Sequence, residues 1–183
     1  MHYTLCDYLL DLFANALEAG SPYTRVDWEE DGRLLRIRVT DRGSGMTPEE
    51  LERARDPFYS RPGKHPERRV GLGLPFLLQT AEATGGSVDI ESERGTGTTV
   101  ECRFPPDHVD LPPVGDVAGT FLRMCLYEGD YEVEIHRRRG PGAYRISRRE
   151  LAEALGDLES ADSVLLLRRY LYEQERELET MEV

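Results

Sequence analysis

Asp41-Arg42-Gly43-Ser44-Gly45-Met46 directly follows a predicted β-strand, Leu35 to Val39, in which apolar and charged residues alternate. Its two glycines permit positive φ and let a flat ligand approach the main chain closely. Asp41, at the end of the strand, can accept a hydrogen bond from an exocyclic amine such as adenine N6. Alone, this Asp-x-Gly-x-Gly pattern is a common turn, so its meaning depends on the rest of the sequence.

Upstream of this turn, a predicted helix has two polar side chains on one face. Apolar residues recur at helical spacing from Tyr8 to Leu17, and Gly20 provides a stop signal. Asp11 and Asn15 are four residues apart, so their side chains project from the same face. Such a pair can orient a water molecule and supply an oxygen ligand to Mg²⁺. Taken alone, the pair is more typical of a solvated helix face.

Two further signals lie downstream of the turn. Asp56-Pro57-Phe58-Tyr59-Ser60-Arg61 is an aromatic stretch inside an otherwise polar loop, where a residue that fills the core is a plausible alternative. Gly71-Leu72-Gly73-Leu74 opens a predicted helix, Leu72 to Thr84, where backbone N–H groups and the helix dipole favour a phosphate. Each signal is weak alone, but all four occur in one order.

Together, these segments resemble the ATP-binding domain shared by gyrases, heat-shock chaperones, histidine kinases and mismatch-repair proteins, the GHKL or Bergerat fold. The resemblance spans about residues 3–106, and the stretch from Gly71 to Gly86 followed by Gly95 to Thr99 is most similar to histidine kinases. It implies an α+β fold, a two-layer sandwich whose antiparallel or mixed sheet is covered by helices on one face. A small C-terminal α/β extension follows.

The resemblance also implies a role for each matching residue. Asn15 matches the N-box asparagine that ligates Mg²⁺, and Asp11 stands where hydrolysing branches have a glutamate that activates water. Asp41 is implied to bind the adenine amine with support from Thr98. The other residues implied to contact ATP or ADP belong to the G1, F and G2 boxes: Gly43, Gly45, Met46, Phe58, Gly71, Leu72, Gly73 and Leu74.

Three departures from the family pattern affect the expected chemistry. Arg69-Val70 stands where the G2 box has an earlier glycine. Arg61-Pro62 replaces the usual lysine or second threonine after the F box, which leaves Arg61 and Lys64 as candidates for phosphate contact. Asp11 is one methylene shorter than the expected glutamate, which shortens its reach toward a water molecule.

Prolines 105, 106, 112 and 113 mark a predicted boundary in the chain. We predict an ATP-binding domain over residues 1–106, a linker over 107–116 and a small α/β region over 117–183. The first unit should contain a hairpin that turns at Asp31-Gly32 and a second strand pair, Ser87 to Ser92 with Thr98 to Phe104. The last unit should contain a hairpin through Gly140-Pro141-Gly142 and a final helix.

Composition excludes several classes of protein. The 183 residues include 35 acidic and 23 basic side chains, a net charge of −12, which argues against binding to a phosphate backbone. The longest aliphatic run, Val164 to Leu167, is far too short to span a bilayer. Cys6, Cys102 and Cys125 are widely spaced, which predicts free or buried thiols. We therefore expect a cytoplasmic protein that binds neither nucleic acid nor membrane.

Two hypotheses about function remain open. His2, His65, His108 and His136 all lack the sequence context of a phosphorylated histidine, so we expect any phosphoacceptor to lie on another protein. As an enzyme, the chain would phosphorylate this partner on Ser, Thr or His. As an ATP-gated switch, it would change a partner-binding surface when nucleotide orders the loop from Asp56 to Val70, with slow hydrolysis as the reset.

The last predicted helix has an apolar stripe, which leaves open whether the protein forms a homodimer. Such a stripe can pack on the protein's own sheet or form a surface for a second copy or another partner. Its residues are Val164, Leu165, Leu167, Leu171, Tyr172 and Leu178.

Overall fold

The computed structural model describes residues 4–55 and 73–181. Its strands form one six-stranded mixed sheet, in the order β3-β4-β2-β1-β5-β6, where the ranges are β1 Tyr23–Glu30, β2 Leu35–Asp41, β3 Ser87–Glu93, β4 Gly97–Phe104, β5 Glu132–Arg139 and β6 Gly142–Ser147. Neighbouring strands are antiparallel except for β1 and β5, which are parallel. The predicted α+β fold is thereby confirmed, with the mixed form of the sheet.

Helices cover one face of this sheet. They are α1 Leu5–Glu18, α2 Pro48–Arg55, α3 Gly73–Thr84, α4 Val117–Cys125, α5 Arg148–Leu155 and α6 Ala161–Thr180. Alternation along the strands directs apolar side chains such as Val26, Trp28 and Val39 into a core shared with α1, α3, α4 and α6. The neighbouring strand positions, including Arg25, Asp27 and Arg38, lie on the opposite, polar face.

Helix α1 begins at a capping box. The Thr4 hydroxyl accepts a hydrogen bond from the Asp7 N–H at 3.1 Å, and the Asp7 carboxylate accepts one from the Thr4 N–H at 2.8 Å. The N–H groups of Leu5 and Cys6, which have no acceptor within the helix, donate to the carbonyls of residues 113 and 114 at 3.0 Å. The segment predicted as a linker therefore contacts the start of α1.

The C-terminal segment extends the same sheet. Strand β5 pairs with β1 over its whole length, from Tyr23 opposite Glu132 to Glu30 opposite Arg139. The domain boundary at 107–116 remains a prediction, but elements from both sides of it form one sheet and one core.

A buried arginine connects this extension to the rest of the fold. Only 1 % of the Arg137 side chain is exposed, and its guanidinium lies 2.9 Å from a Glu30 carboxylate oxygen and 3.1 Å from one of Glu175. Tyr144 donates a hydrogen bond to Glu175, and the Trp28 indole N–H donates one to Glu30 at 2.6 Å. Strands β1, β5 and β6 and helix α6 are thus joined by one polar network.

The apolar stripe of α6 is divided between core and surface. Leu167, Leu171 and Leu178 are buried, whereas Leu165 and Tyr172 are 62 % and 42 % exposed. Packing on the protein's own sheet accounts for the buried part, and a homodimer remains a prediction.

Two other findings concern the sequence expectations. Cys6, Cys102 and Cys125 are free and buried, as expected. Within residues 4–55 and 73–181, none of the helices combines the length and apolar character needed to cross a membrane.

Candidate nucleotide-binding site

Four polar side chains form a row across one end of the sheet. Asp41 of β2 is the cross-strand neighbour of Thr24 on one side and of Thr98 on the other, and Thr98 in turn pairs with Ser92 of β3. Residues two positions further along the same strands belong to the apolar core, so the polar row lies on the helix-covered face. The row therefore borders the core at the level of the predicted turn after β2.

Asp41 presents a hydrogen-bond acceptor in this row. Its carboxylate accepts a hydrogen bond from the Gly43 N–H at 2.7 Å, and the backbone N–H of the neighbouring Thr98 also acts on its pKa. Partial burial raises the pKa of the Asp41 carboxyl above its ordinary value, while these two N–H groups act in the opposite direction. The net upward shift indicates a carboxylate removed from much of its water, which strengthens its interaction with a donor.

The loop after β2 lies between α1 and the β3–β4 hairpin. Ser44 donates its N–H to the Ala19 carbonyl at 2.9 Å and accepts from the Gly95 N–H at 2.8 Å. A Cβ at Gly43 would lie 2.8 Å from the Cβ of Ala19. Gly45 has φ of +60°, and a Cβ there would overlap the Glu93 carbonyl oxygen. Both glycines are therefore required by close backbone packing.

The start of α3 lies against the polar face of α1. A Cβ at Gly73 would be 2.7 Å from a carboxylate oxygen of Asp11. Burial, and secondarily the nearby Asp7, raises the pKa of Asp11 above its ordinary value. Asn15 is exposed one turn further along α1. The fold therefore brings Asp11 to the end of the predicted phosphate-binding segment.

The other predicted site residues divide into two groups. The N–H of Met46 donates to the Ser92 hydroxyl at 2.9 Å, and Leu74 packs against the core. Five predicted contacts lie outside the described residues. They are Phe58 of the F box, the basic candidates Arg61 and Lys64, and Gly71 and Leu72 from the first half of the G2 box.

The described residues are suited to a nucleotide site and not to a metal site whose ligands all come from the protein. They contain no group of three or more His, Cys, Asp or Glu side chains arranged for an ion. Mg²⁺ commonly takes one or two protein oxygens together with phosphate oxygens and water. Asn15, exposed near Asp11, is suited to that limited role.

Three features of the site were missed from the sequence. Helix α2 was not predicted, although Thr47 and Glu50 form a capping box in which the Glu50 N–H donates to Thr47 at 3.2 Å and the Thr47 N–H to Glu50 at 3.0 Å. Arg94 of the hairpin pairs with Glu50 at 2.8 Å. Ser92 is the third feature, which the strand register opposite Thr98 could have revealed.

A carboxylate beside glycine-dependent loops and a helix start, on a two-layer sandwich, is the arrangement expected of an ATP-binding domain of the GHKL type. The chain belongs to the histidine kinase-, DNA gyrase B- and HSP90-like ATPase family, which it matches over residues 4–108. The sequence-based family prediction is thereby confirmed.

Two similar proteins are kinases by name. The chain is 40% identical over 101 residues to the histidine protein kinase DivJ of Caulobacter vibrioides, covering 53% of this chain and 17% of DivJ. It is 28% identical over 102 residues to sporulation kinase B of Bacillus subtilis, covering 54% and 23%. It thus spans less than a quarter of either relative.

One solved structure aligns with part of the chain. The catalytic domain of histidine kinase ThkA aligns with a TM-score of 0.43 at 21% identity, covering 54% of this chain and 63% of that chain.

Proposed function

We propose that this protein binds ATP together with Mg²⁺ and transfers the γ-phosphoryl group to a separate protein. The proposal rests on one juxtaposition along α1. The loop after β2 packs Gly43 between Asp41 and the residue that ends this helix, Ala19, and Gly73 contacts Asp11 on the same helix. The similarity to the histidine protein kinase DivJ and to sporulation kinase B supports the same chemistry.

The base would bind at the Asp41 row. Asp41 would accept a hydrogen bond from the 6-amino group. The Thr98 hydroxyl, which lies on the neighbouring strand, would support this contact with the base. The backbone turns at Gly43 and Gly45 would let the planar base lie against the main chain. The start of α3 at Gly73 would place backbone N–H groups near the phosphates.

Asn15 would provide a protein oxygen to Mg²⁺, which when bound would neutralise charge on the phosphate oxygens. Asp11 is proposed as the proton acceptor. A new bond forms between the acceptor atom of the partner and the γ-phosphorus, the bond from that phosphorus to the β–γ bridging oxygen breaks, and ADP leaves. The proton released by the acceptor passes to the Asp11 carboxylate, whose raised pKa favours proton uptake.

The two histidines that the structure describes lie away from the proposed nucleotide site. His136 lies on the face of the sheet away from the helices, where its Nε2 is 2.6 Å from a Glu134 oxygen. His108 lies in the segment after β4, where its ring nitrogen accepts from the Asp110 N–H at 3.2 Å. Neither belongs to the Asp41 row, and His2 and His65 lie outside the described residues.

A transfer assay tests this proposal. The protein would be incubated with ATP labelled at the γ-phosphate, Mg²⁺ and fractionated proteins of the native host, with Asp41→Asn and Asp11→Asn as controls. We expect the unmodified protein to label a partner protein, and we expect both variants to fail to label it. Release of labelled phosphate without protein labelling would instead favour the ATP-gated switch. Absence of ATP and ADP binding by calorimetry would overturn both hypotheses.

A further inference from the structure

The hydroxyl of Ser92 lies within hydrogen-bond distance of three groups at once. Its Oγ is 2.9 Å from the Met46 nitrogen, 3.1 Å from the Gly97 carbonyl oxygen and 2.9 Å from the Thr98 hydroxyl oxygen. One side chain therefore connects the loop after β2, the β3–β4 turn and the polar row that contains Asp41.

Counting hydrogens fixes the direction of these bonds. A serine hydroxyl has one hydrogen to donate and two lone pairs to accept with. The Met46 N–H can only donate and the Gly97 carbonyl can only accept. All three contacts are satisfied together only if Ser92 donates to Gly97 and accepts from both Met46 and Thr98. Thr98 then donates its only hydroxyl hydrogen to Ser92.

This arrangement makes Thr98 an acceptor toward the base site. Thr98 and Asp41 are cross-strand neighbours, so their oxygens offer two acceptors at adjacent positions. An amino group has two hydrogens and matches two acceptors, whereas a 6-oxo base presents an oxygen instead.

We infer that Ser92 is a positioning residue that sets the hydrogen-bond direction of Thr98 and thereby the preference of the site for a 6-aminopurine nucleotide. The inference rests on the proposed nucleotide-binding function and adds to it the origin of base selectivity. Ser92 acts through Thr98 and Met46 and has no assigned contact with the nucleotide.

Removal of the Ser92 hydroxyl has a specific consequence. In Ser92→Ala the Thr98 hydroxyl hydrogen is released and becomes available to the neighbouring Asp41 carboxylate, where it competes with the 6-amino group of the base. The Met46 N–H also loses its acceptor. Recognition of the amino group should therefore weaken more than binding of the ribose and phosphates.

The test compares two ligands by calorimetry. One is ADP, and the other is the diphosphate of purine riboside, which has hydrogen in place of the 6-amino group. For the unmodified protein we expect ADP to bind at least about tenfold more tightly. In Ser92→Ala we expect ADP affinity to fall about tenfold and the affinity of the analogue to fall less than about threefold. Ser92→Thr, which keeps a hydroxyl, should restore the preference.

Thr99→Ala is the matched control. Thr99 is on the same strand as Thr98, and its hydroxyl bonds to that of Thr40 at 3.3 Å across the same strand pair but on the opposite face. The Thr99→Ala variant should leave the ratio of the ADP and analogue affinities unchanged. A thermal unfolding measurement on every variant checks that the protein is folded.

The outcomes separate this inference from the proposed function. If the unmodified protein binds no ADP, the proposed function fails. A second outcome is that the unmodified protein binds ADP, that Asp41→Asn weakens this binding, and that Ser92→Ala lowers the affinities for ADP and for the analogue by the same factor. In that case the nucleotide site stands and the role of Ser92 in base selectivity is wrong. An unchanged ADP affinity in Ser92→Ala would overturn the inference as well.

Discussion

Replacing Asp41 with Asn removes one charge from the proposed base site while preserving its shape. The remaining amide oxygen can still accept the hydrogen bond that Gly43 donates at 2.7 Å. The amide NH₂ then occupies the position of the second carboxylate oxygen. Two donors would face each other if the amino group of adenine approached, so the favourable contact becomes a repulsive one.

The size of this effect follows from the kind of hydrogen bond that is lost. A hydrogen bond to a charged group contributes about 1.5–3 kcal/mol, which corresponds to roughly a 10- to 150-fold loss of affinity. Partial burial of Asp41 favours the upper half of this range, because water competes less for the carboxylate. We therefore expect ADP affinity to fall by about 100-fold.

The pH dependence provides a second measurement. Burial raises the pKa of Asp41 above its ordinary value of 3.8, and ADP binding requires the ionised form. Affinity in the unmodified protein should therefore decline as pH falls through this raised pKa, and thus at a higher pH than for an ordinary aspartate. Asp41→Asn should lack this component of the decline, because its amide does not titrate.

Protein stability should change in the opposite direction from binding. A raised carboxyl pKa means that the folded state binds the proton more tightly than the unfolded chain, so ionisation of Asp41 reduces stability as pH rises through that interval. The neutral amide avoids this cost, and the midpoint of thermal unfolding at pH 7 should be equal to or above that of the unmodified protein. Unchanged ADP affinity in a folded variant, measured by calorimetry, would refute the base-binding assignment.

Three other substitutions test the remaining assignments. Asn15→Ala should weaken Mg²⁺-dependent ATP binding about tenfold and spare ADP binding without metal, and equal losses in calorimetry with and without Mg²⁺ would contradict the ligand role. Asp11→Asn should retain ADP affinity but slow turnover by about 10²- to 10⁴-fold, whereas an unchanged rate of phosphate transfer or release would rule it out as the base. Arg137→Met should lower the free energy of unfolding in urea by about 3–5 kcal/mol, because two carboxylates lose their buried partner. Arg138→Ala on the exposed neighbour should change it by less than about 0.5 kcal/mol, and similar losses in both variants would contradict the burial argument.

The sequence predicted the family and the main elements because its signals are local. The glycines after β2 follow a strand whose alternation is visible in the sequence, and Asp11 and Asn15 share a helix face by spacing alone. Helix α2 was missed because its apolar content is low, even though Thr47 and Glu50 carry a capping signal. Strand β5 was predicted, but its parallel partner was not, because pairing with β1 joins segments about 100 residues apart.

The sequence by itself determined which segments form the ATP-binding fold, since residue type and spacing fix local backbone conformation and the faces of helices and strands. Tertiary structure alone decided which of these residues meet. Gly73 reaches Asp11 only when α3 packs beside α1. Ser92 becomes part of the site only when the loop after β2 approaches the hairpin and supplies the Met46 N–H. Such contacts arise from burial of a shared core and from hydrogen-bond satisfaction at its edge, which depend on residues distant in sequence.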